Sequence, residues 1–140
     1  MAGLSKAAPV RARKLLVFGG SFNPPHRAHA ALLKAALKAI KPELALVVPA
    51  YHSPLKGLPG TPAAQRLKML RVFLKQNFKG LPVRVDTGEL KSGRKVYTWQ
   101  TLSRIRKNFS GEIYLLLGSD CLAQFHKWKR PLSVARLAKL

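Results

Sequence analysis

The feature that most restricts the fold of this chain is an alternation. Apolar runs of about five residues, bounded by Gly or Pro, alternate with longer stretches of helical period. Lys14-Leu15-Leu16-Val17-Phe18 closes on Gly19-Gly20 and predicts a buried strand. His29, Leu32, Leu33, Ala36, Leu37 and Ile40 then recur at helical spacing, with Arg27, Lys34, Lys38 and Lys41 mostly off that stripe, until Pro42 stops the helix. Residues 44–48 predict a second strand and residues 49–60 a loop. Thr61 as N-cap and Pro62 at the first helical position open a second helix, with Leu67, Leu70, Phe73 and Leu74 inward and Gly80 at its close. Residues 83–85 predict a short third strand, followed by a turn around Lys91-Ser92-Gly93. A helix from about Thr98 turns Leu102, Ile105 and Phe109 inward. Residues 112–117 predict the fourth strand, which runs through Gly118-Ser119-Asp120 into another helical segment.

Buried strands separated by helices imply right-handed βαβ units. The expected class is α/β: a Rossmann-like parallel sheet with helices on both faces. In such sheets ligands gather beyond the carboxyl ends of the strands. Loops 19–29, 49–60 and 118–128 leave strand ends directly, and loop 86–98 is a fourth candidate.

At 140 residues and 47% apolar composition, one domain is expected over residues 14–140, preceded by a basic leader, residues 1–13, expected to be flexible. No apolar run reaches the 18 or more residues of a membrane span, and the N-terminus lacks a signal-peptide core. The lone Cys121 excludes an intrachain disulfide and fits a reducing, cytoplasmic setting. Lys plus Arg number 26 against 5 Asp plus Glu, giving a net charge of +21, and no acid precedes Glu43. Such a field attracts nucleotides, nucleic acid or acidic membrane. Because the positive residues are spread along the chain, it equally fits a general solubility feature.

Two absences narrow the chemistry. Neither Gly-x-Gly-x-x-Gly nor Gly-x-x-x-x-Gly-Lys-Ser/Thr follows the first strand, which argues against a dinucleotide-binding dehydrogenase and a P-loop protein. Gly19-Gly20, a Pro24-Pro25 corner and His26-x-x-His29 at a helix start stand there instead. The glycines let a ligand approach the backbone, and a helix start presents free N–H groups to phosphate. His26 and His29, one turn apart, can donate hydrogen bonds to phosphate oxygens as charge builds up during phosphoryl or nucleotidyl transfer. The same pair could hold a metal, and His29, lying on the apolar stripe, could be a core histidine; spacing alone leaves these open.

The whole segment from Gly19 to His29 resembles the opening motif of the nucleotidyltransferase superfamily with the His-x-Gly-His signature. With Gln65-Arg66-Leu67-Lys68-Met69-Leu70, Val96-Tyr97-Thr98-Trp99-Gln100-Thr101-Leu102 and Leu116-Leu117-Gly118-Ser119-Asp120 through Trp128, the chain is similar, over residues 14–140, to the bacterial nicotinate mononucleotide adenylyltransferases. That resemblance implies transfer of the adenylyl group of ATP to nicotinate mononucleotide, giving nicotinate adenine dinucleotide and pyrophosphate with Mg2+, a step of NAD biosynthesis. It implies catalytic roles for His26 and His29 at the ATP phosphates, and ATP binding also by Gly19, Gly20, Ser21, Phe22, Gly118 and Asp120. It assigns Tyr97, Thr98 and Trp128 to the nicotinate, Lys56 to substrate phosphate, and no residue to a metal. Arg66 is expected to be structural, and Trp128 and Thr98 also have plain readings as a core aromatic and an N-cap.

Three departures from the family pattern bear on turnover. Asn23 stands where the family usually has Asp, Ala28 stands where it has Gly, and the C-terminal Ile-Ser-x-Thr-x-Ile-Arg motif does not occur. The domain is therefore expected to be C-terminally incomplete, lacking its last strand and helix, with residues 133–140 still helical and an unpaired edge on the fourth strand. Two alternatives carry different expectations. One is a sister nucleotidyltransferase with another phosphorylated substrate. The other is a non-catalytic nucleotide- or RNA-binding relative using Phe125-His126-Lys127-Trp128-Lys129-Arg130.

Overall fold

The computed structural model describes residues 13–51, 61–118 and 123–140. Strands β1 (Lys14–Gly20), β2 (Leu44–Pro49), β3 (Val83–Val85) and β4 (Glu112–Leu116) form one wholly parallel sheet in the order β3-β2-β1-β4. The helices are α1 (Arg27–Ile40), α2 (Ala63–Asn77), α3 (Gly88–Ser92), α4 (Thr98–Arg106) and α5 (Pro131–Leu137), with one 3-10 turn at Phe125–Lys127.

The period-two alternation of β1 divides the core into two halves. Leu16 and Phe18 face Ala30, Leu33 and Ala36 of α1 and Leu70 and Leu74 of α2. Leu15 and Val17 face Leu102 and Ile105 of α4 and Val134 of α5. Leu16, Leu33, Leu70 and Leu102 are essentially inaccessible to solvent, and truncating any one to Ala costs ~2–5 kcal/mol. The fold class expected from the sequence is therefore the fold observed.

The strand order puts a topological switch between β1 and β4: the chain leaves β1 toward β2 but returns to β1's other side as β4. A crevice opens at such a point beyond the carboxyl ends. Phe18 pairs with Leu116 and Gly19 with Val48, so Gly19-Gly20 and Leu117-Gly118 flank it.

Local boundaries depart from the sequence expectations at several element ends. Helix α2 closes at Asn77 with Phe78 as its C-cap rather than at Gly80, and β4 ends at Leu116 rather than residue 117. Pro62, not Thr61, is the N-cap of α2, because the helix begins at Ala63. Tyr97, not Thr98, caps α4. The turn around residues 91–93 is the end of helix α3, closed by Gly93 in the left-handed region (φ 65°). The C-terminus is not helical to residue 140. Ala138 is extended, and Lys139 pairs with β4 in parallel, accepting from the Leu115 N–H at 2.7 Å and donating to the Ile113 carbonyl at 2.8 Å. The β4 edge is thus met, over that short reach, by the chain's own last residues.

Of the leader, only Arg13 is described. Its guanidinium makes a two-pronged pair with Glu43 at 2.9 Å, and its carbonyl accepts the Glu112 N–H. Helices α1 and α2 carry Arg27, Lys34, Lys38, Lys68, Arg71 and Lys75 on their exposed sides and no acid at all.

Candidate active site

The segment between β1 and α1 is shaped by one aromatic wedge. Phe22 takes a positive φ of 48°, turning its ring inward, where it is 3% exposed. The ring packs edge-on against Phe18 at 5.4 Å and His29 at 4.9 Å. A Cβ on Gly20 would lie 3.3 Å from it, so glycine there leaves room for the wedge. The Phe22 ring is thus buried, and it supports the His29 ring.

His26 is the N-cap of α1. Its backbone N–H donates to Nδ1 of His29 at 3.0 Å, and the two rings stack 3.8 Å apart, 21° from parallel. This bond satisfies an orphan donor of the helix start. It also puts the proton of a neutral His29 on Nε2, the nitrogen turned from the backbone. His26 is exposed and His29 half-buried. Two imidazoles are thereby held as a pair at the positive end of a 14-residue helix. A core histidine would be enclosed; this pair lies at the rim.

Beneath the rim lies Arg66, a residue that sequence reading treated as merely structural. It is 1% exposed, the bulkiest of the fully buried side chains. Its Nε donates to the Thr61 carbonyl at 3.1 Å, one terminal nitrogen to Ser21 at 3.0 Å and Ala50 at 2.6 Å, and the other to Tyr51 at 3.3 Å. The loops leaving β1 and β2 are thus fastened together, and the Ala50 N–H adds a bond to the Gly20 carbonyl at 2.8 Å. Burial lowers the Arg66 pKa from the usual arginine value. The available sequence signal was a cation four and eight residues before Leu70 and Leu74, on the buried face of its helix.

Across the crevice, the start of α4 follows the same device as α1: the side chain three residues on accepts the N-cap N–H, here Gln100 Oε1 from Tyr97 at 2.9 Å. Tyr97 and Thr98 are half-buried there. The chain from Phe125 to Arg130 is brought against this helix: Trp99 and Trp128 both pack on the same half of the core, and the Arg130 guanidinium sits 4.6 Å over the Trp99 ring. Trp128 stacks obliquely on Phe125 at 5.1 Å. The indole Nε1 atoms of Trp99 and Trp128 are buried without a hydrogen-bond partner among the described residues. Among the described residues, nothing lies within 4 Å of where a Cβ on Gly118 would stand. Lys56 and Asp120 lie outside the described residues.

The segment just beyond β3 carries two of the chain's five acids, Asp86 and Glu89. Asp86 caps Gly88 and pairs with Arg104 at 2.7 Å, and Glu89 accepts the Thr101 hydroxyl at 2.6 Å. Burial pushes the Glu89 carboxyl up to about 7, against the pull of Thr101 and Arg104. Sequence reading passed over both, for neither forms part of a motif.

Among the described residues no three His, Cys, Asp or Glu side chains gather as a metal cage, and no helix is long and apolar enough to cross a membrane. The donors at the rim are imidazole and backbone N–H groups, which suit phosphate oxygens better than a hard cation.

A family model described as cytidylyltransferase-like matches residues 17–140. A relative from Aquifex aeolicus, named "Probable nicotinate-nucleotide adenylyltransferase", is 36% identical over 126 residues, covering 89% of this chain and 73% of its own. One of the same name from Nitratiruptor sp. is 33% identical, covering 90% and 70%. Among solved structures, a nicotinate-nucleotide adenylyltransferase so named from Vibrio parahaemolyticus superposes with a TM-score of 0.74 at 22% identity, over 91% of this chain and 71% of that one. A Plasmodium falciparum nicotinic acid mononucleotide adenylyltransferase complexed with NaAD gives 0.72 at 21%, over 85% and 58%. At those identities the structures establish the fold.

Proposed function

The chain belongs to the cytidylyltransferase-like family, among its nicotinate-nucleotide adenylyltransferases, and on that premise we propose that it transfers the adenylyl group of ATP to nicotinate mononucleotide, releasing pyrophosphate. The observation that carries the reading is the stacked His26–His29 pair at the start of α1, beside the crevice between β1 and β4. In this reading the two imidazoles and the helix start hold the ATP phosphates and stabilise the charge that builds as the acceptor phosphate attacks the α-phosphorus. No protein nucleophile is needed, because positioning and electrostatics suffice.

Gly19, Gly20, Ser21 and the Phe22 backbone form the floor under the nucleotide, and Gly118 with Asp120 takes the ribose. Tyr97 and Thr98 meet the nicotinate, Trp128 covers its ring, and Lys56 faces the acceptor phosphate. Enzymes of this kind generally use a divalent metal with ATP; magnesium, bound with ATP, would supply charge neutralisation. The surplus of positive charge draws the two anionic substrates toward the mouth, and the reaction is placed in the cytoplasm.

The test is pyrophosphate release with ATP and, in parallel, nicotinate mononucleotide, nicotinamide mononucleotide or phosphopantetheine. The proposal expects nicotinate mononucleotide to be preferred. Preference for phosphopantetheine would assign a sister activity, and salt-sensitive RNA binding without pyrophosphate release would assign a binding module.

A further inference from the structure

We infer that Arg66 is a positioning residue for the polyphosphate: by drawing the carbonyls of Ser21 and Ala50 inward, it turns the neighbouring amide N–H groups toward the bound anion. The inference deepens the active-site reading and rests on it.

The argument begins with the peptide plane. In a trans peptide the C=O and the following N–H point in opposite directions. The Ser21 and Ala50 carbonyls both point at Arg66, at 3.0 and 2.6 Å. The Phe22 and Tyr51 N–H groups therefore point away from it. Neither donates to a backbone carbonyl among the described residues. Both stand where two adjacent strands, β1 and β2, end.

Charge adds to geometry. The ion pairs among the described residues are Arg13–Glu43, Arg104–Asp86 and Lys139–Glu112. Among the described residues, the hydrogen-bond partners of Arg66 are all neutral carbonyls. A buried cation without a carboxylate is costly, and an anion bound above it compensates that cost. The sequence places this cation on α2, the fastening carbonyls on two other segments and the imidazole pair on α1. Binding of a polyphosphate would thus be favoured by a charge that never touches it.

Two variants and one wild-type measurement test this. Arg66→Lys keeps the charge but cannot reach all four carbonyls, whereas Arg66→Met keeps the bulk and loses the charge. With inorganic tripolyphosphate as the probe, Arg66→Met is expected to weaken binding by about tenfold or more, and Arg66→Lys to stay within about threefold. With ATP, Arg66→Lys is expected to lose about tenfold in kcat with a small change in KM. In the wild-type protein, tripolyphosphate should slow hydrogen exchange at the Phe22 and Tyr51 amides, a readout that needs no variant to fold. Unchanged exchange at both amides, or an Arg66→Lys variant with wild-type kcat and KM, would overturn the inference. Protected amides in a protein that releases no pyrophosphate would refute the enzymatic reading and leave the role of Arg66 standing.

Discussion

The two sides of the crevice are built on different principles. On the α1 side, every element is tied down: Phe22 wedges under His29, His29 locks the His26 N–H, and Arg66 fastens both loops beneath. On the α4 side the helix start has the same N-cap bond, with Asp86–Arg104 and Glu89–Thr101 behind it. The facing segment from Phe125 to Arg130, however, is held by aromatic packing, with two buried indole N–H groups lacking a partner among the described residues. An unmet buried donor costs ~1–3 kcal/mol, so this side gains from a ligand or a shift that supplies an acceptor. The contrast fits the two proposed jobs. A polyphosphate is common to many enzymes and can be met by a rigid floor, while the acceptor ring is what must be selected.

Breaking the rigid side has the largest expected effect. Phe22→Ala removes a 3%-exposed ring and should cost ~3–5 kcal/mol in denaturant unfolding, with loss of catalysis even where the fold survives. Stability unchanged within error would mean that the wedge supports nothing. Next, Trp128→Ala should raise the KM for nicotinate mononucleotide by about tenfold while the KM for ATP stays within about twofold. Equal changes in both would remove the division of labour between the two sides.

A third prediction uses pH. The Glu89 carboxyl is raised to about 7 in the folded protein by burial, so the native state holds a proton that the unfolded chain releases. Its contribution is fully present below the unfolded carboxylate pKa and is lost as pH rises through about 7. Between about pH 5 and about pH 8 the melting temperature of the wild type should fall more than that of Glu89→Gln. Parallel curves would show that Glu89 does not titrate in this window. The smallest effect is expected from Ala28→Gly, which restores the family glycine at an exposed position of α1. It should cost ~0.5–1 kcal/mol of stability and lower the KM for ATP; a raised KM would show that the methyl does not crowd the nucleotide.

The sequence revealed the rigid side unevenly. The histidine pair was legible because both residues lie within one helical turn, so spacing alone set their relation. The Arg66 cage was not, since its acceptors Ser21 and Ala50 are 45 and 16 residues away and are backbone atoms that no motif encodes. The parallel sheet covered on both faces followed from short apolar runs alternating with helical patterns, whereas the order β3-β2-β1-β4 rests on long-range pairing that no local pattern encodes. Errors clustered at element ends: Thr61 has the chemistry of an N-cap, yet its carbonyl serves Arg66 and the helix begins two residues later. Residues 138–140 looked helical by continuity, whereas the open edge of β4 offers backbone partners that draw Lys139 into the sheet. Tertiary partners decided both.

The most direct test of the central claim follows product and pyrophosphate together, with ATP, magnesium and nicotinate mononucleotide, in the wild type and in His29→Ala. The account predicts nicotinate adenine dinucleotide and pyrophosphate in equal amounts, and a fall of about 10²–10³-fold in kcat for His29→Ala with a cooperative melt retained. Wild-type turnover by His29→Ala, or no dinucleotide from the folded wild-type protein, would contradict it.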